Sequence, residues 1–157
     1  MRNRVISGII IGSLSLISRS EAHGWHHHHA VHSAKANYRA LAAREAHAGH
    51  VPARLVMAVM RVESGYNPHA VHAGNFGLMQ IKPRTARSMG YRGSPRGLLD
   101  PATNLRYGVK YLALAWHKSR GNVCRALMGY QSGVFAHHMS RANVDYCHKA
   151  RLFMSKS

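Results

Sequence analysis

Pro52-Ala53-Arg54-Leu55-Val56-Met57-Ala58-Val59-Met60-Arg61-Val62-Glu63-Ser64-Gly65 is the stretch from which the rest of the chain can be read. Pro52 suits the first turn of a helix, where its missing N–H is one the helix does not use, and Gly65 supplies the stop. Within that helix Val56, Val59, Met60 and Glu63 stand at i, i+3, i+4 and i+7. The carboxylate therefore falls on the apolar stripe and faces the body of the protein. It also occupies the last turn, where the negative end of the helix dipole disfavours ionisation. Burial and dipole both push its pKa upward, the condition for a general acid working near neutral pH. On helix geometry alone, a glutamate that merely satisfies buried backbone groups fits equally well.

The placement matters because acids are scarce. In 157 residues Lys and Arg number 22 and Asp and Glu only 5, for a formal net charge of +17. The length allows one domain with a modest core. Arg2 and Arg4 followed by the apolar run Val5 to Ile17, with Ser20-Glu21-Ala22 offering small residues around a cleavage point, predict a signal peptide over 1–22. The run is short for a permanent membrane span, and an uncleaved N-terminal anchor is the alternative. The expected location is therefore outside the cytoplasm, in the periplasm, the cell envelope or the medium. There a strongly basic protein meets anionic envelope polymers electrostatically. Nucleic acid is not the expected partner, since the chain carries no zinc-finger, homeodomain or RNA-binding signature.

Residues 23–33 form a His-rich segment containing His23, His26, His27, His28, His29 and His32. Such a tract can bind zinc, copper or nickel weakly, but no nearby carboxylate orients the rings. A flexible polycation that charges below about pH 6.5 is the competing reading. Cys124 and Cys147 are the only cysteines. In an oxidising compartment they form a reasonable disulfide, worth roughly 3 kcal/mol through loop closure. Two buried free thiols are the alternative.

The folded domain is expected over 34–157 and reads as helices and loops without a convincing strand. Ala34 to Ala48 is an alanine-rich helix stopped by Gly49. Gly74 to Gln80 is a glycine-punctuated loop, and Pro83 opens a short helix through Met89. Asp100-Pro101 caps and starts a helix running through Trp116. Asn122 caps another that carries Cys124, Leu127 and Tyr130, and a last one runs from about Asn143 to Met154. These lengths with short connections predict a compact all-α domain.

Three blocks in order carry a resemblance. Glu63-Ser64-Gly65-Tyr66-Asn67-Pro68 is followed by Gly77-Leu78-Met79-Gln80-Ile81 with Pro83, Thr85 and Ala86. Asp100-Pro101, Asn104, Gly108 and Tyr111-Leu112 come next, and Tyr130-Gln131-Ser132-Gly133 closes the set. Over about 51–135 the chain resembles the catalytic core of the soluble-lytic-transglycosylase (SLT) family, lysozyme-like enzymes that cut bacterial peptidoglycan. The resemblance implies an all-α, lysozyme-like multi-helix fold with a substrate cleft, Glu63 as catalytic acid and then base, and Ser64 as a polar support beside it. It implies that Met79 and Gln80 line the cleft, that Tyr111 and Tyr130 complete its floor, and that Gln131 contacts substrate. Core packing is the alternative for Met79, Tyr111 and Tyr130. Asp100 and Asn104 read as structural caps.

Ordinary glycosidases place two carboxylates around the bond. Here Glu45, Asp100 and Asp145 are the only partners for Glu63 once 1–22 is removed, and none carries a motif. A single-carboxylate route therefore fits better, with the substrate's N-acetyl group stabilising the positive centre. The family implies ring closure by the sugar's 6-hydroxyl to a 1,6-anhydromuramoyl end, with no cofactor or metal. It also implies peptidoglycan glycan strands as substrate, a monomer, and a cell-envelope machine as a conceivable partner. A water-using muramidase is the alternative enzyme; an inactive wall-binding or metal-binding accessory protein is the alternative class. The chain departs from the family at His72, where serine is common, at Lys82, often apolar, and at Gln131, where asparagine is usual.

Overall fold

The computed structural model describes residues 35–155. The expected signal peptide and the His-rich segment with its six histidines lie outside the described residues. The chain builds helix α1 over 35–48, α2 (Ala53–Ser64), strands β1 (Val71–His72) and β2 (Asn75–Phe76), and α3 (Pro83–Ser88). A 3-10 turn (Pro95–Leu99) precedes α4 (Pro101–Lys118), α5 (Val123–Ser132) and α6 (Arg141–Met154).

Helix ends follow local chemistry. Pro52 sits at the N-cap of α2 rather than inside its first turn, and Gly65 ends the helix at φ +61 with its N–H returning to the Arg61 carbonyl. A left-handed terminus of this kind favours glycine, and it stops the helix immediately after Glu63 and Ser64. Asp100 Oδ2 accepts from the Thr103 N–H at 2.8 Å to start α4, and Asn122 Oδ1 accepts from the Arg125 N–H at 3.0 Å to start α5. Ser140 and Asn143 form a reciprocal capping box on α6.

The packing centres on α2. Its Leu55, Val56, Val59 and Met60 are fully buried among Leu105, Val109 and Leu112 of α4, Leu127 and Tyr130 of α5, and Tyr146, Cys147 and Ala150 of α6. Each such aliphatic side chain contributes about 1.5–3 kcal/mol on burial. α2 packs on α6, and α5 packs on both α4 and α6. A disulfide joins Cys124 of α5 to Cys147 of α6, which settles the choice between a bond and two free thiols.

The expectation of no strand needs one correction. Val71 pairs with Phe76 and His72 with Asn75 in a minimal hairpin inside the predicted loop. Ala73 (φ +47) and Gly74 (φ +74) make its two-residue turn, the doubly left-handed geometry that matches strand twist. Strands of two residues are too short for alternation to register in the sequence. The fold class is nonetheless all-α, as expected.

Asn104 does more than cap a helix. It is fully buried, accepts from the Met79 N–H at 2.8 Å, and donates at 2.7 Å to both the Phe76 and Leu98 carbonyls. One side chain thereby ties the hairpin loop and the 3-10 turn to α4. The approach is close enough that a Cβ on Gly77 (φ +70) would collide with the Asn104 amide and the Leu98 carbonyl.

Candidate active site

Glu63 reaches a cleft of about 560 Å³ from the last turn of α2. The hairpin loop adds Gln80, α4 adds Tyr111, α5 adds Tyr130 and Gln131, and α6 adds Tyr146. Glu63 is the only carboxylate among the described residues lining the cleft, whereas Lys82 and Arg84 bring two cations to its wall.

Burial raises the Glu63 carboxyl above its ordinary pKa, and a hydrogen bond from Tyr146 opposes part of that rise. Tyr146 Oη donates to Glu63 Oε1 at 2.6 Å. The two effects leave the group protonated to higher pH than a free glutamate while holding one carboxyl oxygen in place. The position of Glu63 in the last turn of α2 works in the same direction as burial. Burial also drives the Tyr146 phenol well above its usual range, and the neighbouring Glu63 charge adds to this, so Tyr146 remains a donor.

Gln80 holds a left-handed backbone (φ +46), an unusual state for a residue with a side chain. Its Nε2 donates to the Ala70 and Gly77 carbonyls, both at 3.0 Å. Two carbonyl acceptors settle which end of the amide is nitrogen, leaving Oε1 as the group free to meet a ligand. Tyr111 and Tyr130 have ring centroids 5.5 Å apart and form one aromatic wall. The Tyr130 hydroxyl is committed to the Met79 carbonyl at 2.7 Å, so this residue offers a ligand its ring edge more than its oxygen. Tyr111 Oη makes a long contact, 3.4 Å, to the Gly129 carbonyl and also interacts with the Val134 backbone.

Two expected site residues stand apart from the cleft lining. Ser64 Oγ donates to the Leu78 carbonyl at 2.8 Å and the Met60 carbonyl at 3.2 Å, which joins the end of α2 to the hairpin loop. The Met79 side chain is fully buried and packs against Gly108, where a Cβ would lie 2.6 Å from its sulfur. What Met79 contributes near the cleft is its carbonyl, the acceptor for Tyr130. Of the departures, His72 is exposed on β1, Lys82 lines the cleft, and Gln131 lines it with Oε1 accepting from Asn143 Nδ2 at 2.6 Å. That same Asn143 amide also donates to Ser132 Oγ at 2.8 Å.

Tyr146 is the residue that reading the sequence missed. Its signal was the stripe Asn143, Tyr146, Cys147 and Ala150 on the last helix, all buried. A tyrosine beside a cysteine on a buried face announces packing; only the fold brings it to a carboxylate 83 residues away.

Residues 40–152 match the family described as Transglycosylase SLT domain. Membrane-bound lytic murein transglycosylase C from Salmonella typhimurium and that from Klebsiella pneumoniae are each 44% identical to this chain, over 38% of it and 19% of their own length. The chain thus spans about a fifth of the curated relatives it matches. Among solved structures, the 70-kDa soluble lytic transglycosylase from Escherichia coli superposes with a TM-score of 0.58 at 28% identity, covering 73% of this chain and 19% of that one. An inactive mutant of lytic transglycosylase Slt from Pseudomonas aeruginosa gives a TM-score of 0.65 at 24% identity, over 74% of this chain and 23% of that one, a likeness of fold. The family match runs past the expected core of 51–135 and takes in α6 as far as residue 152, Tyr146 included. The chain belongs to the Transglycosylase SLT domain family.

Proposed function

We propose that this protein is an exported peptidoglycan lytic transglycosylase of the cell envelope in which Glu63 serves as acid and then as base. The observation that carries the reading is a part-buried carboxyl of raised pKa in a cleft that no second carboxylate among the described residues lines. In the first step Glu63 delivers its proton to the glycosidic oxygen between N-acetylmuramic acid and N-acetylglucosamine, and the bond to C1 breaks. The positive centre at C1 is met by the substrate's own N-acetyl oxygen, the role a second carboxylate fills elsewhere. In the second step the Glu63 carboxylate accepts the proton of the muramic 6-hydroxyl. That oxygen closes on C1, giving a 1,6-anhydro end and restoring the acid.

The remaining groups support this sequence of events. The Tyr146 hydrogen bond favours the charged carboxylate formed between the two steps without abolishing the raised pKa. The Gln80 Oε1 and the Tyr111–Tyr130 wall supply a polar contact and a flat apolar face, the pair of surfaces a sugar ring takes. Ser64 acts from behind the cleft, through the Leu78 carbonyl. Cleavage after residue 22 and export of the mature chain belong to the same proposal.

Mass analysis of muropeptides released from purified sacculi tests the chemistry. Anhydromuramoyl ends are expected; reducing muramic ends alone would place water, not the 6-hydroxyl, in the second step. Glu63→Gln should lower wall clearing by a factor of about 100 or more, the range associated with loss of a positioned acid. Equal clearing by wild type and variant would remove Glu63 from the reaction.

A further inference from the structure

A second cavity, of about 520 Å³, lies on the other side of α5 from the Glu63 cleft, between the end of α4 and the segment that follows α5. Its charge is one-sided. Lys118, Arg120, Arg125 and His137 line it, and no acid among the described residues does. The three Lys and Arg side chains are exposed, and none makes an ion pair with a described residue. They are gathered by a short connection. Arg120 (φ +52) and Gly121 (φ +77) close off α4 in left-handed conformations, and Asn122 restarts the chain as α5.

The floor is apolar, with Met128 and the Gly129–Ala115 contact, where a Cβ on Gly129 would sit 3.2 Å from that of Ala115. Beside it Phe135 stands 74% exposed, with the Lys118 ammonium 3.7 Å from its ring centroid, and Met139 is 39% exposed. A simple anion or a soluble acidic peptide would gain from the cations alone. An exposed aromatic ring and an apolar floor among cations that make no ion pair with a described residue gain most from a ligand that joins an anionic head to hydrocarbon.

We propose that the cavity between α4, α5 and the 133–139 segment binds the headgroup of an anionic phospholipid, with Phe135 and Met139 entering the acyl boundary of the bilayer. Lys118, Arg120 and Arg125 take the phosphate. Seated this way, the domain rests on a membrane surface through one side of α5 and keeps the Glu63 cleft on the other. The cavity is separate from that cleft, so the inference stands whether or not the proposed reaction is right.

The test uses the full chain, isotopically labelled and titrated with dihexanoyl phosphatidylglycerol below its micelle-forming concentration. Saturable shifts are expected at the amides of 118–125 and 133–139. Arg120→Glu combined with Arg125→Glu should weaken that binding at least tenfold, and Phe135→Ser severalfold, with thermal midpoints confirming that the variants fold. Phe135→Ser is a surface change and keeps the test decisive should the double charge reversal not fold. Equal affinity for dihexanoyl phosphatidylcholine would overturn the proposal by removing the role of charge. Equal affinity for glycerol phosphate would overturn it in favour of a plain anion site, and tighter binding of an isolated wall stem peptide at the same amides in favour of a peptide site. Shifts confined to other residues would overturn it outright.

Discussion

Tyr146 Oη on α6 donates to Glu63 Oε1 on α2 across 2.6 Å, joining the C-terminal helix to the carboxyl that the cleft is built around. The bond favours the ionised carboxylate and so counteracts burial. Tyr146→Phe removes the donor and keeps the ring, so the Glu63 pKa should rise further. If protonated Glu63 is the working acid, activity falls as pH climbs through that pKa, and the variant's alkaline limb should move to higher pH. Loss of a hydrogen bond to a charged group should also lower kcat roughly tenfold. A pH profile of wall lysis checks both. An unmoved alkaline limb would mean that Tyr146 only packs.

Glu63 also couples stability to pH. Its folded pKa is raised above the unfolded value of 4.5. The folded state therefore holds the proton more tightly than the unfolded chain. The associated stability is fully present below the unfolded pKa and is lost as pH rises through the folded pKa. Glu63→Gln retains an oxygen to accept from Tyr146 and has no charge to bury. It should be more stable than wild type at pH 7, with the advantage shrinking toward pH 4. Urea midpoints for the two proteins at both pH values measure this, and a constant difference between them would contradict the burial argument.

The elements legible in the sequence were those decided within a few residues. α2 showed its apolar stripe and its Gly65 stop, and α4 and α5 showed Asp100 and Asn122, side chains that cap helices by bonding three residues ahead. Glu63 was legible for the same reason, since its place on the stripe follows from spacing alone. The contacts that complete the site are non-local. Tyr146 meets Glu63 across 83 residues and Tyr130 meets the Met79 carbonyl across 51, distances over which no pattern signals a pairing. Met79 and Ser64 carried motif identity but not direction. The left-handed backbone at Gly77 and Gln80 turns Met79 inward onto Gly108 and sends Gln80 to the cleft.

The disulfide bears on the site through its neighbours. Cys147 follows Tyr146 on α6, and Cys124 lies on the helix that carries Tyr130 and Gln131, so the bond joins two walls of the cleft. Replacing both cysteines with serine, or reducing the native protein, should lower unfolding free energy by about 3 kcal/mol for a loop of this size. Denaturation curves with and without reductant provide the value. Activity should fall along with it, because α6 then holds Tyr146 less firmly. Full activity in the reduced, still-folded protein would show that packing of α6 on α2 suffices.

Asn104 is the side chain whose loss should spread furthest. It satisfies the Met79 N–H and the carbonyls of Phe76 and Leu98; of these, the Phe76 carbonyl also accepts from the Ile81 N–H at 3.1 Å. Asn104→Ala strands the Met79 N–H and the Leu98 carbonyl, each costing about 1–3 kcal/mol when left unpaired, and leaves Phe76 with its bond from Ile81. The predicted loss is at least about 2 kcal/mol. Asn104→Asp is the sharper probe. An aspartate still accepts from Met79 but presents oxygen to two carbonyls, so it should destabilise the fold strongly at neutral pH and recover part of the loss when protonated. Thermal midpoints of the two variants across pH 4 to 7 distinguish a hydrogen-bonding role from a space-filling one. If the aspartate variant stays pH-insensitive and near wild type, the hairpin loop is held by packing and not by this amide.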